Sequence, residues 1–250
     1  MSPGALEPFW MGPSTRRCYA VLHGAGGSTG VLMASPLLHE QPSSRRALVD
    51  VAARLAALGL PTLHFDWYGT GDSAGAGECH DVAAMHEDLD AAMSALRERG
   101  VARVVLLAWG AASLVVSSWP GRAALPAWAA WEPVTDGAAW LAALLAADGA
   151  ERQLRYGGQQ PAEGDMNLMG VPVSAAWRAG IGASRLAMAP PPAPWIVARP
   201  GEVPEGAPRH FALPADAPRL DRGVGVETTL FLPRTVFAVV DELGRAFAAA

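Results

Sequence analysis

Apolar positions along this chain follow two periods in turn. Short runs in which nearly every residue is apolar alternate with longer stretches in which apolar residues recur every three or four places. The runs are Cys18–Leu22, Val31–Ala34, Pro61–Asp66, Val104–Leu107, Ala127–Trp131, Trp195–Ala198 and His210–Leu213, and they read as strands. The stretch "SSRRALVDVAARLAALGL" places Ala47, Leu48, Val51, Leu55 and Leu58 on one helical face, with Ser43 or Ser44 as N-cap and Gly59 as C-cap. Further helices are expected over Val82–Arg99, from the turn after Val104–Leu107 to Trp119, over Ala138–Ala147 and over Val236–Ala249. The first two runs flank the glycine-rich "HGAGGSTG", which predicts a hairpin. Strand and helix alternating at this spacing predict βαβ units: one α/β domain, residues 1–250, around a mostly parallel central sheet with flanking helices.

Composition narrows the function. The 51% apolar content supplies a core, but the most apolar stretch, Val104–Trp119, is broken by Gly110, Ser113, Ser117 and Ser118 and is too short to span a bilayer. The start, "MSPGALEPFW", lacks a basic region and a long apolar core, so a cytoplasmic location is expected. The 24 acidic residues outnumber 19 basic ones, all of them arginine, for a net charge of −5. No basic cluster exists for a phosphate backbone, and no nucleic-acid partner is expected. Cys18 and Cys79 form neither a disulfide framework nor a zinc spacing. "GAGGSTG" lacks the spacing of a dinucleotide loop. No cofactor and no metal are expected.

The order strand, helix, strand with Asp-x-x-Gly-x-Gly-x-Ser (Asp66, Gly69, Gly71, Ser73), helix, strand, sharp turn, helix resembles the α/β-hydrolase superfamily. Within it, "VLMASPLLHEQPSSRRALVDVAARLAALGLPTLHFDWYGTGDSAG", "HEDLDAAMSAL", "VVLLAWGAA" and "WEPVTDG" are similar to serine-aminopeptidase-type and exosortase A system-associated hydrolases. The resemblance implies a bacterial enzyme that hydrolyses an ester, thioester or amide in a biosynthetic pathway. It also implies a lid inserted within 134–190, and an oxyanion-hole amide after the Val31–Ala34 strand, where Leu37 is the candidate. "HGAGG" at 23–27 looks like a lipase oxyanion loop and is the rival. That register strands Val31–Ala34 between loop and helix, so the hairpin is preferred.

The same resemblance implies a nucleophile in the turn after Val104–Leu107, flanked two places either side by small residues. Three registers fit "LAWGAA". They put Ala108, Trp109 or Gly110 at the nucleophile, and Ala108 is the assignment made here. None of the three can attack a carbonyl. The acid and base follow the nucleophile in this superfamily. Glu132 and Glu202 follow strands, and His210 is the one histidine after the turn, although at the start of a strand. Cys79, in "ECHD" beside His80 and Asp81, offers a thiol, but sequence neighbours rarely face one another. Ser113 lies a helical turn too far on.

The expectation is therefore a hydrolase-family protein impaired at its nucleophile, or a non-catalytic binding or accessory protein using the old crevice. The crevice should gather Leu37, His39, Trp67, Ala108, Trp109 and Glu132 into an apolar, aromatic hollow for a small acyl-type ligand.

Overall fold

The computed structural model describes residues 6–75, 81–156, 167–220 and 230–250. Its main sheet has eight strands: β1 (Leu6–Met11), β2 (Cys18–His23), β3 (Thr29–Ala34), β4 (Thr62–Phe65), β5 (Arg103–Trp109), β6 (Trp128–Trp131), β9 (Trp195–Ala198) and β10 (His210–Ala212). The spatial order is β1-β2-β4-β3-β5-β6-β9-β10. From β4 onward every neighbouring pair is parallel, while β1–β2 and β2–β4 are antiparallel. A separate hairpin, β7 (Asn167–Leu168) and β8 (Val171–Pro172), stands apart. The expected α/β architecture with a mostly parallel sheet is what forms.

Two apolar layers cover the sheet. Helices α1 (Glu40–Ala57) and α6 (Arg234–Ala249) pack on one face, where Val51, Leu55, Val240, Leu243 and Phe247 meet Val31, Met33, Val105 and Leu107. Helices α2 (Val82–Glu98), α3 (Ala112–Ser118) and α5 (Ala175–Ala183) contribute to the other face, with α4 (Gly137–Tyr156) packed on α5. Period-2 alternation in the strands divides the side chains: Leu32, Leu106 and Ala108 face α2 and α3, whereas Met33, Leu107 and Trp109 face α1 and α6. The central strands β3 and β6 are buried on both faces, which is why they read as continuous apolar runs.

The hairpin expected at "HGAGGSTG" is not there. Strand β4 inserts between β2 and β3, so the connector links strands that are not neighbours. Because β2 runs antiparallel, His23 pairs with Thr62 at the amino end of the parallel strands. The "HGAGG" loop therefore starts at the opposite edge of the sheet from the turn after β5. The expected caps at Ser43 and Ser44 also move. Helix α1 begins at Glu40, and both hydroxyls donate to the Glu40 carbonyl inside the first turns. Strand β1 gave no signal because Pro8 and exposed residues interrupt its pattern, as an edge strand permits.

The Asp66–Ser73 loop is a structural device. Asp66 accepts from Gln41 at 2.8 Å, from Arg45 at 2.9 Å and from the Asp72 amide at 2.9 Å. Ser73 Oγ donates to the Asp66 carbonyl at 2.5 Å and accepts from the Tyr19 amide at 2.8 Å. Gly71 has φ +54°, and a Cβ there would stand 2.2 Å from Asp66 Oδ2, so glycine is demanded twice over.

Candidate functional site

The turn after β5 is held by small residues on both sides. Ala108 pairs with Ala34 of β3 and Ala130 of β6, and Ala111 and Ala112 open α3. The apex is Gly110, at φ +53°, not Ala108, which lies two residues back inside the strand with no exposed surface. The Gly110 amide donates to the Trp131 carbonyl at 2.9 Å. Its carbonyl accepts from Ser113 Oγ at 2.7 Å and from the Ser113 and Val134 amides. Ser113 is thus a buried helix-interior serine, occupied by backbone.

A buried carboxylate faces this apex. Glu40 opens α1 directly after the loop from β3 and is 4% exposed. A Cβ at Gly110 would stand 2.7 Å from Glu40 Oε2. The first atom of a side chain at the apex would thus press on Glu40 Oε2.

Glu132, just past β6, completes one wall. It adopts a left-handed conformation, φ +41°, and its amide donates to the Val197 carbonyl at 2.8 Å. Its Oε1 is ion-paired with the Arg199 guanidinium, and its Oε2 accepts from the Leu220 amide at 3.0 Å. Arg199 also donates to the Ala217 carbonyl at 2.5 Å and lies 3.9 Å from Glu202, which pairs with Arg219 at 2.5 Å. Glu40, Gly110, Glu132, Trp140, Arg219 and Leu220 line a hollow of about 300 Å³ at the carboxyl ends of β5, β6 and β9. It lies where open parallel sheets bind ligands.

Of the residues expected in the crevice, Glu132 alone lines this hollow. Leu37 and Trp67 border a separate cavity of only about 20 Å³, with the Trp67 indole donating to the Ser35 carbonyl at 2.9 Å. Trp109 is buried under α1 and α6, stacked on Trp131 at 4.6 Å. His39 precedes α1, and burial holds its imidazole below the usual range. His210 stays in β10, its Nε2 2.9 Å from the Ala198 carbonyl, and is not brought to the hollow. Asp81 caps α2 through the Ala84 amide, while Cys79 and His80 lie outside the described residues. Cys18 is buried, its thiol 3.3 Å from Asp88, and burial together with the Asp88 carboxylate pushes its pKa strongly up.

The expected aromatic hollow is instead a charged one. Sequence reasoning missed Glu40, Arg199 and Arg219. The available signal was position: Glu40 follows β3 and Arg199 follows β9, each at a carboxyl strand end.

A scan against protein-family models and a search of curated proteins find no match. Solved structures do match. Est1E from Butyrivibrio proteoclasticus superposes with a TM-score of 0.60 over 97% of this chain and 99% of its own, at 14% identity. A hydrolase-type protein from Agrobacterium vitis S4 gives 0.52 over 79% of each chain, at 15% identity. Such likeness establishes the α/β-hydrolase fold. Among the described residues, no helix is long and apolar enough to cross a membrane.

Proposed function

We propose that this chain is an α/β-hydrolase-fold protein that has lost the serine-hydrolase reaction and keeps the crevice as a small-molecule binding site. The observation that carries this reading is Gly110 at the apex of the strand–turn–helix, with Glu40 in the space of the missing side chain. In this reading Gly110 takes the nucleophile position. The loops that would supply acid and base supply the Glu132–Arg199 and Glu202–Arg219 pairs. A working triad acts as a unit, and removing its serine costs about a millionfold in turnover. In this reading α4, whose Trp140 lines the hollow, serves as part of the lid. The similarity of "SPLLHEQPSSRR" to exosortase A system-associated hydrolases favours an accessory role in a bacterial biosynthetic pathway.

The test is a thermal-shift screen with acyl esters and carboxylates, run beside labelling by a fluorophosphonate. A ligand at a hundred times its Kd stabilises by about 2.7 kcal/mol, or roughly 5–10 °C for a chain this size. The expected result is a shift with one ligand class, abolished by Val134→Trp at the rim and unaffected by Glu98→Ala at an exposed position of α2, with no labelling. Stoichiometric labelling, or turnover of an ester well above background, overturns the loss of hydrolysis. A screen without any shift overturns the binding role.

A further inference from the structure

A second hollow, of about 340 Å³, lies between α1 and the antiparallel end of the sheet, away from the Gly110 turn. Strand register builds its floor. Leu6, Pro8 and Trp10 share one face of β1, and across the ladder they meet His23, Val21 and Tyr19 of β2. Val21 in turn lies beside His64 of β4. On the opposite face of β1, Phe9 packs against the core that holds α2. Leu48 and Val49 of α1 form the facing wall. Leu6 is 60% and Trp10 51% exposed, so α1 does not close over β1, and an open slot with largely apolar walls remains.

The charged groups at its walls are matched within the protein. Asp66 is bonded to Gln41, Arg45 and the Asp72 amide, and Arg45 is paired with both Asp66 and Asp72. Ser35 Oγ donates to the Phe65 carbonyl at 2.7 Å. The uncharged polar groups left to a ligand are the Tyr19 phenol and two imidazoles. His23 and His64, 41 residues apart, bring their Nε2 atoms to 3.1 Å, with ring centroids at 5.1 Å and planes inclined by 42°. Burial keeps both rings uncharged at neutral pH, so one Nε2–H donates to the other Nε2. The donating ring then keeps a bare Nδ1, an acceptor, and the accepting ring keeps an Nδ1–H, a donor. Neither Nδ1 bonds a protein group among the described residues.

We propose that this slot is a second small-molecule site, for an uncharged amphiphile. Its aromatic or aliphatic body would lie against Leu6, Pro8, Val21 and Val49, and an amide or hydroxyl group, able to donate and accept at once, would meet the His23–His64 pair. A hollow of this volume, with apolar walls and a few convergent polar groups, has the form that binds small organic molecules. Charge selects against ions. An ammonium or carboxylate would give up its water to apolar walls and regain no partner, because the charges already there are paired with one another. An amide loses less and finds a donor and an acceptor together. The slot is separate from the Gly110 crevice, so neither reading depends on the other.

The experiment titrates nitrogen-labelled protein at neutral pH with 2-naphthamide and with octanamide, each beside the carboxylate and the ammonium of the same skeleton. The expected result is saturable one-to-one binding of at least one amide, with shifts at the backbone signals of Val21, Leu48, Val49 and His64 and at both imidazoles. Which amide binds decides between an aromatic and an aliphatic body. The ions should bind at least about tenfold more weakly. Val21→Trp on the floor and Val49→Trp on the facing wall should each weaken the amide at least about tenfold, while Val134→Trp in the Gly110 crevice leaves it unchanged. Filling variants on two separate elements keep the test decisive if one fails to fold. The site is overturned if neither amide saturates these signals, or if an ion binds as tightly as its amide. Undiminished binding by a folded filling variant overturns it too, as does binding lost only in Val134→Trp.

Discussion

Glu40 Oε2 stands 2.7 Å from where a Cβ on Gly110 would be, and Gly110 holds φ +53°. The two residues come from different strand ends, one opening α1 and the other forming the turn into α3, and each restricts what the other can be. Gly110→Ala should destabilise the fold by about 2–3 kcal/mol, part from the left-handed backbone and part from displacing a buried carboxylate. In a Glu40→Ala background the second part disappears. The double-mutant cycle should then show a favourable coupling of about 0.5–1.5 kcal/mol by urea unfolding. Strict additivity would mean that Glu40 moves aside without cost.

The Glu132–Arg199 pair makes a second prediction. Both side chains are largely buried, at 10% and 16% exposure. Breaking such a pair from one side leaves a charge in a low-dielectric site, at a cost of about 3–5 kcal/mol, whereas removing both charges costs much less. Arg199→Met should therefore be the more damaging single change, and Arg199→Met with Glu132→Gln should recover more than half of the loss. Urea midpoints of the four proteins decide it. The Leu220 amide should also lose hydrogen-exchange protection in the Glu132 variants, because it donates to Glu132 Oε2.

Acid should act through the histidine pair. Burial lowers the pKa of both rings, and His23 and Arg45 help hold His64 down at about 3. The charged groups facing the pair are Arg45 from α1 and Asp66 and Asp72 from the loop after β4. In the unfolded chain a histidine titrates near 6.5. Between that value and the folded one, the unfolded state binds more protons, so stability falls as pH falls. The contribution is intact above about pH 6.5 and is lost progressively toward pH 3. The wild type should lose at least about 1 kcal/mol per pH unit more than His23→Gln/His64→Gln between pH 6.5 and 5. His39 and His86 are lowered by burial too, but they are common to both proteins and cancel in the difference. Parallel pH profiles would remove the pair from the acid response.

How much of this was legible in the sequence depends on the range of the interaction. Strands β3, β5 and β9 were readable because burial on both faces leaves an uninterrupted apolar run, and α6 because Val236, Val240, Leu243 and Phe247 keep helical spacing. The wrong hairpin came from treating sequence neighbours as sheet neighbours, when β4 enters between them. At the turn, the absence of any hydroxyl or thiol from "LAWGAA" was visible, but which residue forms the apex was not. Trp109 completes the strand and only the next residue turns, a distinction set by β5 pairing through to Trp131. Glu40, Arg199 and Arg219 stayed hidden because their roles come from contacts between separate strand ends. The candidate aromatics misled for the opposite reason: Trp67 and Trp109 are core residues whose positions near strand ends mimic a crevice.

Adding a hydroxyl to the turn should not by itself produce a hydrolase. In Gly110→Ser the new hydroxyl would enter the space held by Glu40 Oε2, within the left-handed backbone of the apex. A serine needs a base within about 3 Å to lose its proton. His210 cannot serve while its Nε2 bonds the Ala198 carbonyl inside β10. Among the described residues, those that reach the hollow from the last strand's loop are Arg219, a permanent cation, and Leu220. With nucleophile and base acting as a unit, a serine alone contributes almost nothing. Hydrolysis of p-nitrophenyl acetate by Gly110→Ser should therefore stay within about tenfold of wild type, and Glu40→Ala added to it should improve stability without adding turnover. Introducing a histidine at Leu220 in the same background tests the base directly: a rise above about a hundredfold, the low end of general-base catalysis, would locate the missing group at that loop. If instead Gly110→Ser alone produced such a rise, Glu40 would be acting as its base, and the turn would be one residue from a working enzyme.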